Sequence, residues 1–149
     1  MIITDFDCLR IQYSAELSLI RYQWQKAGSL TGFRAALNHV LALVQQHQVQ
    51  YCLLDLHDLP DIGIEEQVWL GTQWLPRIVR HQARQVALVV PVSRQYNQMV
   101  VESLLKLGRA FIRFEVQYFS DPLAALDWLT CSEEEMTRLQ LEWQAAGGI

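Results

Sequence analysis

The stretch Val49 to Pro60, VQYCLLDLHDLP, constrains the fold more than any other part of the chain. Apolar residues succeed one another without polar alternation, run into Asp55, and end in a polar loop that opens a helical pattern. A strand with no polar side must be covered on both faces, and that is the position of a central strand in a parallel sheet. Gln85 to Val90, closed by Pro91, repeats the pattern. Two such strands imply a layer on each side of the sheet, which helices can supply.

The other segments arrange themselves around this pair. Leu9, Ile11 and Tyr13 alternate with polar residues, Ser14-Ala15-Glu16 turns the chain, and Leu17 to Trp24 resumes the strand pattern, which predicts an antiparallel hairpin. Gly28 and Ser29 break it. Thr31 or Ser29 then caps a helix with Phe33, Leu37, Val40, Leu41 and Val44 on one face and its end near His47. A second helix, from Ile64 into the Arg80 region, has Ile64, Val68, Gly71, Leu75 and Ile78 as its inward stripe, with Gly71 allowing close approach to the sheet. Pro76 lacks an N–H and crowds the carbonyl of Thr72, so a kink or a change in hydrogen bonding is predicted there.

Ser93 is placed to cap a third helix running to Gly108, a C′ glycine, with Tyr96, Met99, Val100, Ser103, Leu104 and Leu107 inward. Ile112 to Tyr118 alternates with Arg113, Glu115 and Gln117 as an edge or half-exposed strand does. Asp121-Pro122 starts a short helix to Leu129, and Ser132 with Glu135 has the capping-box spacing for a C-terminal accessory helix over 132–146, lined by Met136, Leu139 and Trp143. The reading is α/β: a mostly parallel sheet built as four β-α superhelical turns after an antiparallel N-terminal strand, in one domain spanning 1–149.

Charge excludes one function class. The net charge is −4 and the 12 Lys and Arg residues are scattered, whereas a nucleic-acid binder concentrates them on one face. The opening MIITDFDCLR has neither a cationic nor an apolar signal region, and the apolar runs are too short for a membrane span, so a soluble protein without membrane insertion is expected. Cys8, Cys52 and Cys131 have no CxxC spacing, a usage that suits a reducing cytoplasm.

The central strand and the segments after it resemble the STAS domain of anti-sigma-factor antagonists, and more closely the small bacterial STAS-like (SpoIIAA-like) single-domain proteins of unknown function. Trp24, Leu53-Leu54-Asp55-Leu56 with Leu59, Trp74-Leu75-Pro76-Arg77, Ala87-Leu88-Val89-Val90-Pro91, and Tyr118-Phe119 with Ala125 and Trp128-Leu129 carry the resemblance. It implies a four-turn β-α superhelix and a surface for partners on the loop and helix after the central strand. The STAS phosphoacceptor serine falls on Glu65, a fixed carboxylate at a helix N-terminus, where the helix dipole favours negative charge. Ordinary first-turn acids, Glu65 and Glu66, read the same way.

Ligands of open parallel sheets sit beyond the carboxyl ends of the strands, here at His57, Asp58, Asp61, Ser93, Arg94 and Asp121. One loop lacks the convergence of a metal or catalytic site, and turn chemistry accounts for Asp58, Pro60 and Asp61. No GxSxG elbow and no phosphate-binding glycine loop is present. No cofactor, metal or catalytic residue is therefore assigned. Trp69, Leu70 and Trp74 lie off the inward stripe of the second helix, and either a second subunit or the C-terminal helix covers them. The expected function is a non-catalytic, homodimeric protein-interaction or regulatory module, with Trp69, Leu70 and Trp74 as interface and His57, Asp58, Asp61 and Glu65 as partner surface. The alternative is a carrier or sensor of a small apolar, lipid-like ligand, because the superhelical fold implied by the resemblance is shared with lipid-transfer domains.

Overall fold

A computed structural model describes residues 1–6, 8–25, 32–81, 83–91, 93 and 95–147. Its class is α/β, as the alternation of strands and helices predicts. One six-stranded sheet has its strands in chain order: β1 (Ile2–Phe6), β2 (Leu9–Ser14), β3 (Leu19–Trp24), β4 (Tyr51–Asp55), β5 (Gln85–Val89) and β6 (Glu115–Phe119). β1, β2 and β3 pair antiparallel, and β3 through β6 pair parallel. The expected hairpin is β2–β3, with its turn one residue later, at 15–18. β1 has no counterpart in the sequence reading: Ile2, Ile3 and Phe6 are too few to show a period, and the pairing with β2 shifts register between Ile3 and Phe6.

The helices are α1 (Phe33–His47), α2 (Ile64–Trp69 continued through Leu70–Trp74 and Leu75–Ile78), α3 (Gln95–Gly108), α4 (Pro122–Thr130) and α5 (Glu133–Ala145). Successive parallel strands progress in one direction, so right-handed crossovers send α1, α2 and α3 to the same face. There they form one core with Leu9, Ile11, Ile20, Tyr22, Trp24 and Cys52. The opposite face carries α4 and α5 over Leu19, Leu53, Ala87 and Val89. The period of two along each strand thus puts Cys52 and Leu54 on one side, and Leu53 and Asp55 on the other.

Local signals set most boundaries. Asp121 accepts a hydrogen bond from the Leu123 N–H, with Pro122 at the first helical position, and Ser132 accepts one from the Glu135 N–H. The anticipated caps Ser29 and Thr31, with Gly28, lie outside the described residues, as does Arg94, which neighbours the anticipated cap Ser93. Gly32 immediately precedes α1 with φ of 80°, a conformation glycine adopts at little cost. Gly108 closes α3 as a buried last residue, not as a left-handed C′ residue. A Cβ there would lie 3.1 Å from Leu75 and 3.3 Å from Ile112.

α2 corrects the sequence reading most. It is α-helical over Ile64–Trp69, π-helical over Leu70–Trp74 and α-helical again over Leu75–Ile78. The change in hydrogen bonding anticipated from Pro76 is this π-turn, closed by the Leu75 N–H on the Leu70 carbonyl. A π-turn adds one residue, so the inward phase upstream moves by one position. Ile64 and Val68 consequently face outward, 70% and 57% exposed, while Leu70 is 6% exposed. Trp69 packs edge-on against Phe33 with centroids 6.2 Å apart, and the Trp74 indole N–H donates to the Leu37 carbonyl at 2.9 Å. Trp69 and Trp74 therefore each meet α1 within this chain while remaining half-buried, and Leu70 is buried in the same core; the C-terminal helix belongs to the core on the opposite face of the sheet. Gly71 faces Leu104 and Leu107 of α3, not the sheet. Tyr96, Met99 and Leu107, expected inward, are exposed, and Val100 is the buried member of that set.

The shifted phase makes a direct prediction. Leu70→Ala should cost about 2–5 kcal/mol, as for a buried leucine. Ile64→Ala, which an uninterrupted α-helix would bury, should stay within about 0.5 kcal/mol. Urea midpoints at constant m-value check both, and the reverse order would show that α2 is continuous.

Candidate functional site

The two faces of the sheet are covered differently. α4 lies directly on β4, β5 and β6, while α1, α2 and α3 stand farther off. Leu53, Ala87 and Val89 under α4 are sealed. Leu54 and Val86, at equally central positions on the other face, remain only half-buried. Between that face and the three helices is an apolar hollow of about 150 Å³. Its floor comprises Tyr22 and Trp24 of β3, Cys52 and Leu54 of β4, and Val86 and Leu88 of β5; Leu37, Leu70, Trp74 and Leu104 roof it.

One end of the hollow is closed by the loop between β4 and α2 through Leu56, Leu59 and Ile62. Its shape comes from two buried side chains. The Asp55 carboxylate accepts the His57 N–H and the Gln23 side-chain amide, both at 3.0 Å. Asn97, fully buried on α3, accepts the Ile62 N–H at 3.0 Å and donates to the carbonyls of Leu59 at 3.0 Å and Pro60 at 3.1 Å. Tyr96 adds a hydroxyl bond to the Ile62 carbonyl at 2.9 Å. Each loop group so paired is one that burial would otherwise penalise. Asn97 escaped the sequence reading, although a polar residue beside Val100 on the inward face of a helix is the signal that could have found it.

The loop residues singled out from the sequence do not converge. His57 and Asp61 are exposed, Asp58 is half-buried, and Glu65 is exposed in the first turn of α2. Among the described residues no group of three His, Cys, Asp or Glu side chains could hold a metal ion. The neighbouring Glu66 makes a two-point ion pair with Arg34, at 2.9 and 3.2 Å.

The chain matches no family model, no curated protein and no solved structure.

Function must therefore be read from the geometry of the molecule itself. On the α5 side, Arg10 and Arg21 each place a guanidinium 4.0 Å from the ring centroid of the fully buried Trp143. Arg10 also donates to the Trp143 carbonyl, Gln12 to the Leu139 carbonyl at 2.8 Å, and Arg21 to the Gln140 side chain at 3.0 Å. Desolvation lowers the Arg21 pKa to about 10. This cluster holds α5 on the sheet, and its space is filled by protein.

Within the hollow the Tyr22 phenol and the Cys52 thiol are kept neutral. Burial pushes the Tyr22 phenol well above its usual pKa and the Cys52 thiol up to about 12. His81 sets its ring Nε2 against the Val49 carbonyl, which can only accept, so that nitrogen carries the proton. Among the described residues no helix is long and apolar enough to cross a membrane.

The loop and the walls can each be tested through stability. Asn97→Ala removes three bonds to the loop, two of them buried, and should cost at least about 1–3 kcal/mol, whereas His57→Ala should stay within about 0.5 kcal/mol, read from urea midpoints. Alkali should destabilise the fold. From the ordinary thiol value of 9.0 up to about 12, the unfolded chain has lost a proton that folded Cys52 retains, so stability falls as pH rises through that window. The slope is about 1.4 kcal/mol per pH unit per group, with Tyr22 adding the same sign at higher pH. Cys52→Ala in reducing buffer should flatten the profile; an unchanged profile would place the thiol in water.

Proposed function

We propose that this protein binds a small, largely apolar molecule in the hollow between the sheet and α1, α2 and α3. The observation that carries the reading is the half-buried state of Leu54 and Val86 at the centre of the sheet, above a space of about 150 Å³. At about 24 cal/mol per Å³, such a space left empty in a core would cost roughly 4 kcal/mol. That is a large share of the 5–15 kcal/mol typical of a folded domain. An apolar cavity of this size stays dry and accepts benzene or xenon, which sets the scale of the ligand at one small ring or a short chain. Small apolar molecules are thus favoured over full-length lipids. The free thiols of Cys52 and Cys131 fit a reducing compartment, so the cytoplasm is the proposed location.

A second reading keeps a STAS-like interaction module that pairs with a second copy. The one-directional order β3 to β6 supports it, and so do Ile64 and Val68, which α2 presents outward beside Glu65. In that reading the contact surface moves from Trp69, Leu70 and Trp74 to the outer side of α2. Neither reading involves catalysis.

Toluene tests the first reading. It should raise the thermal midpoint in a concentration-dependent way, because a ligand at 100 times its Kd adds about 2.7 kcal/mol to stability. Val86→Phe, which fills the hollow from the floor, should stay folded and lose the shift. No shift in the wild-type protein near the aqueous solubility limit of toluene would contradict the proposal.

A further inference from the structure

α2 and α3 run side by side and in step. Near their starts the Gln67 amide donates to the Tyr96 hydroxyl at 2.9 Å, midway Gly71 lies against Leu104 and Leu107, and at their ends Leu75 lies against Gly108. Their inner sides roof the hollow, and their outer sides carry an apolar patch. Exposed apolar side chains scattered singly are ordinary, but five of the ten large ones among the described residues stand on this one pair of helices: Ile64, Val68, Tyr96, Met99 and Leu107. The hydroxyls among them are already satisfied within the chain. Thr72 donates to the Val68 carbonyl at 2.7 Å and Ser103 to the Met99 carbonyl at 2.9 Å, and the Tyr96 hydroxyl donates to the Ile62 carbonyl. Drying this face therefore strands none of them.

Charge indicates what covers it. The pair of helices starts at an acidic end, with Glu65 exposed in the first turn of α2, and finishes at a basic one, with Arg77, Arg80, Lys106 and Arg109 exposed. Among the described residues none of these five forms an ion pair. A second copy of the same face, turned about a two-fold axis through the middle of the patch between Gly71 and Ser103, runs antiparallel to the first. That sets the acidic end of each protomer over the basic end of the other, opposes the helix dipoles, and brings the two apolar patches together between them. A parallel arrangement would put like charges together. Resting on the second reading above, in which the chain pairs with a second copy, we propose that it forms an antiparallel two-fold dimer through α2 and α3 jointly, with Glu65 of each protomer set against the basic end of the other.

Sedimentation equilibrium of the whole chain at low ionic strength tests this. The wild-type protein should be dimeric at micromolar concentration. Val68→Asp on α2 and Leu107→Asp on α3 should each give a monomer whose far-UV circular dichroism is retained; Ile64→Asp and Met99→Asp, at more exposed or equally exposed positions, take their place if either chain unfolds. Glu65→Lys should weaken the dimer about ten-fold, since a two-fold axis repeats the lost pairing, and adding Lys106→Glu should restore it. A monomer at every concentration would remove the second reading, and this inference with it. A dimer that the α2 substitutions dissociate and the α3 substitutions leave intact would keep the second reading and overturn the joint surface. A dimer indifferent to all four would overturn the inference by placing the contact elsewhere. Failure of Lys106→Glu to restore what Glu65→Lys loses would overturn the antiparallel arrangement.

Discussion

Side-chain size sets how closely a helix can approach a sheet, and the two faces of β3, β4 and β5 differ in it. Ala87 on β5 and Ala125 on α4 are both fully buried, and so short a pair lets α4 settle onto the strands. The opposite face carries Tyr22 and Trp24, met by Phe33 from α1, with Trp69 and Trp74 from α2 packed into the same core. Trp24 and Phe33 have centroids 5.6 Å apart, and Phe33 in turn meets Trp69. Rings in such a chain fill the end of the interlayer space nearest β3 and hold the helices off the sheet. Toward β5, where Val86 and Leu88 are shorter, the separation persists without the side chains to fill it. The hollow is the remainder.

The seating of α5 depends on a different balance. Arg10, Gln12 and Arg21 project from β2 and β3 where an apolar face would be usual, and all three are buried. Among the described residues neither arginine has a carboxylate within ion-pair distance. Their charge is instead met by the Trp143 ring, by the Trp143 carbonyl near the C-terminal end of α5, and by the Gln140 side chain. Cations stabilise helix C-termini, and a desolvated cation–π contact contributes about 2 kcal/mol, so one tryptophan serves both arginines. Pairing Arg10 and Arg21 with Trp143 ties residues at opposite ends of the chain and closes the face that α4 alone would leave open.

Features with a local physical cause were legible in the sequence. The apolar runs of β4 and β5, the Asp121-Pro122 and Ser132 caps, and the alternation that makes β6 an edge strand are each written within a few residues. The features that escaped were set by distant partners or by phase. A single π-turn rotated half of α2, so Ile64 and Val68 exchanged roles with Leu70, and nothing upstream of Pro76 announces where the extra residue enters. Asn97 pairs with a loop more than thirty positions earlier, and its role exists only once α3 lies beside that loop. The hollow itself has no sequence signature, because Leu54 and Val86 read as ordinary core. The loop residues His57, Asp58 and Asp61 stand beyond the end of β4 without converging, and the shape of that loop comes from Asp55 and Asn97.

The central claim is that rings on one face of the sheet preserve a real, unfilled space, and pressure measures that most directly. Unfolding volumes of about −20 to −100 mL/mol scale with the internal void that unfolding eliminates. Monitored through fluorescence of the five tryptophans, pressure unfolding of the free protein should show a volume change at the large end of that range, reduced when toluene occupies the hollow. A small volume change, indifferent to toluene, would mean that the helices close onto the sheet in solution and that no such space exists.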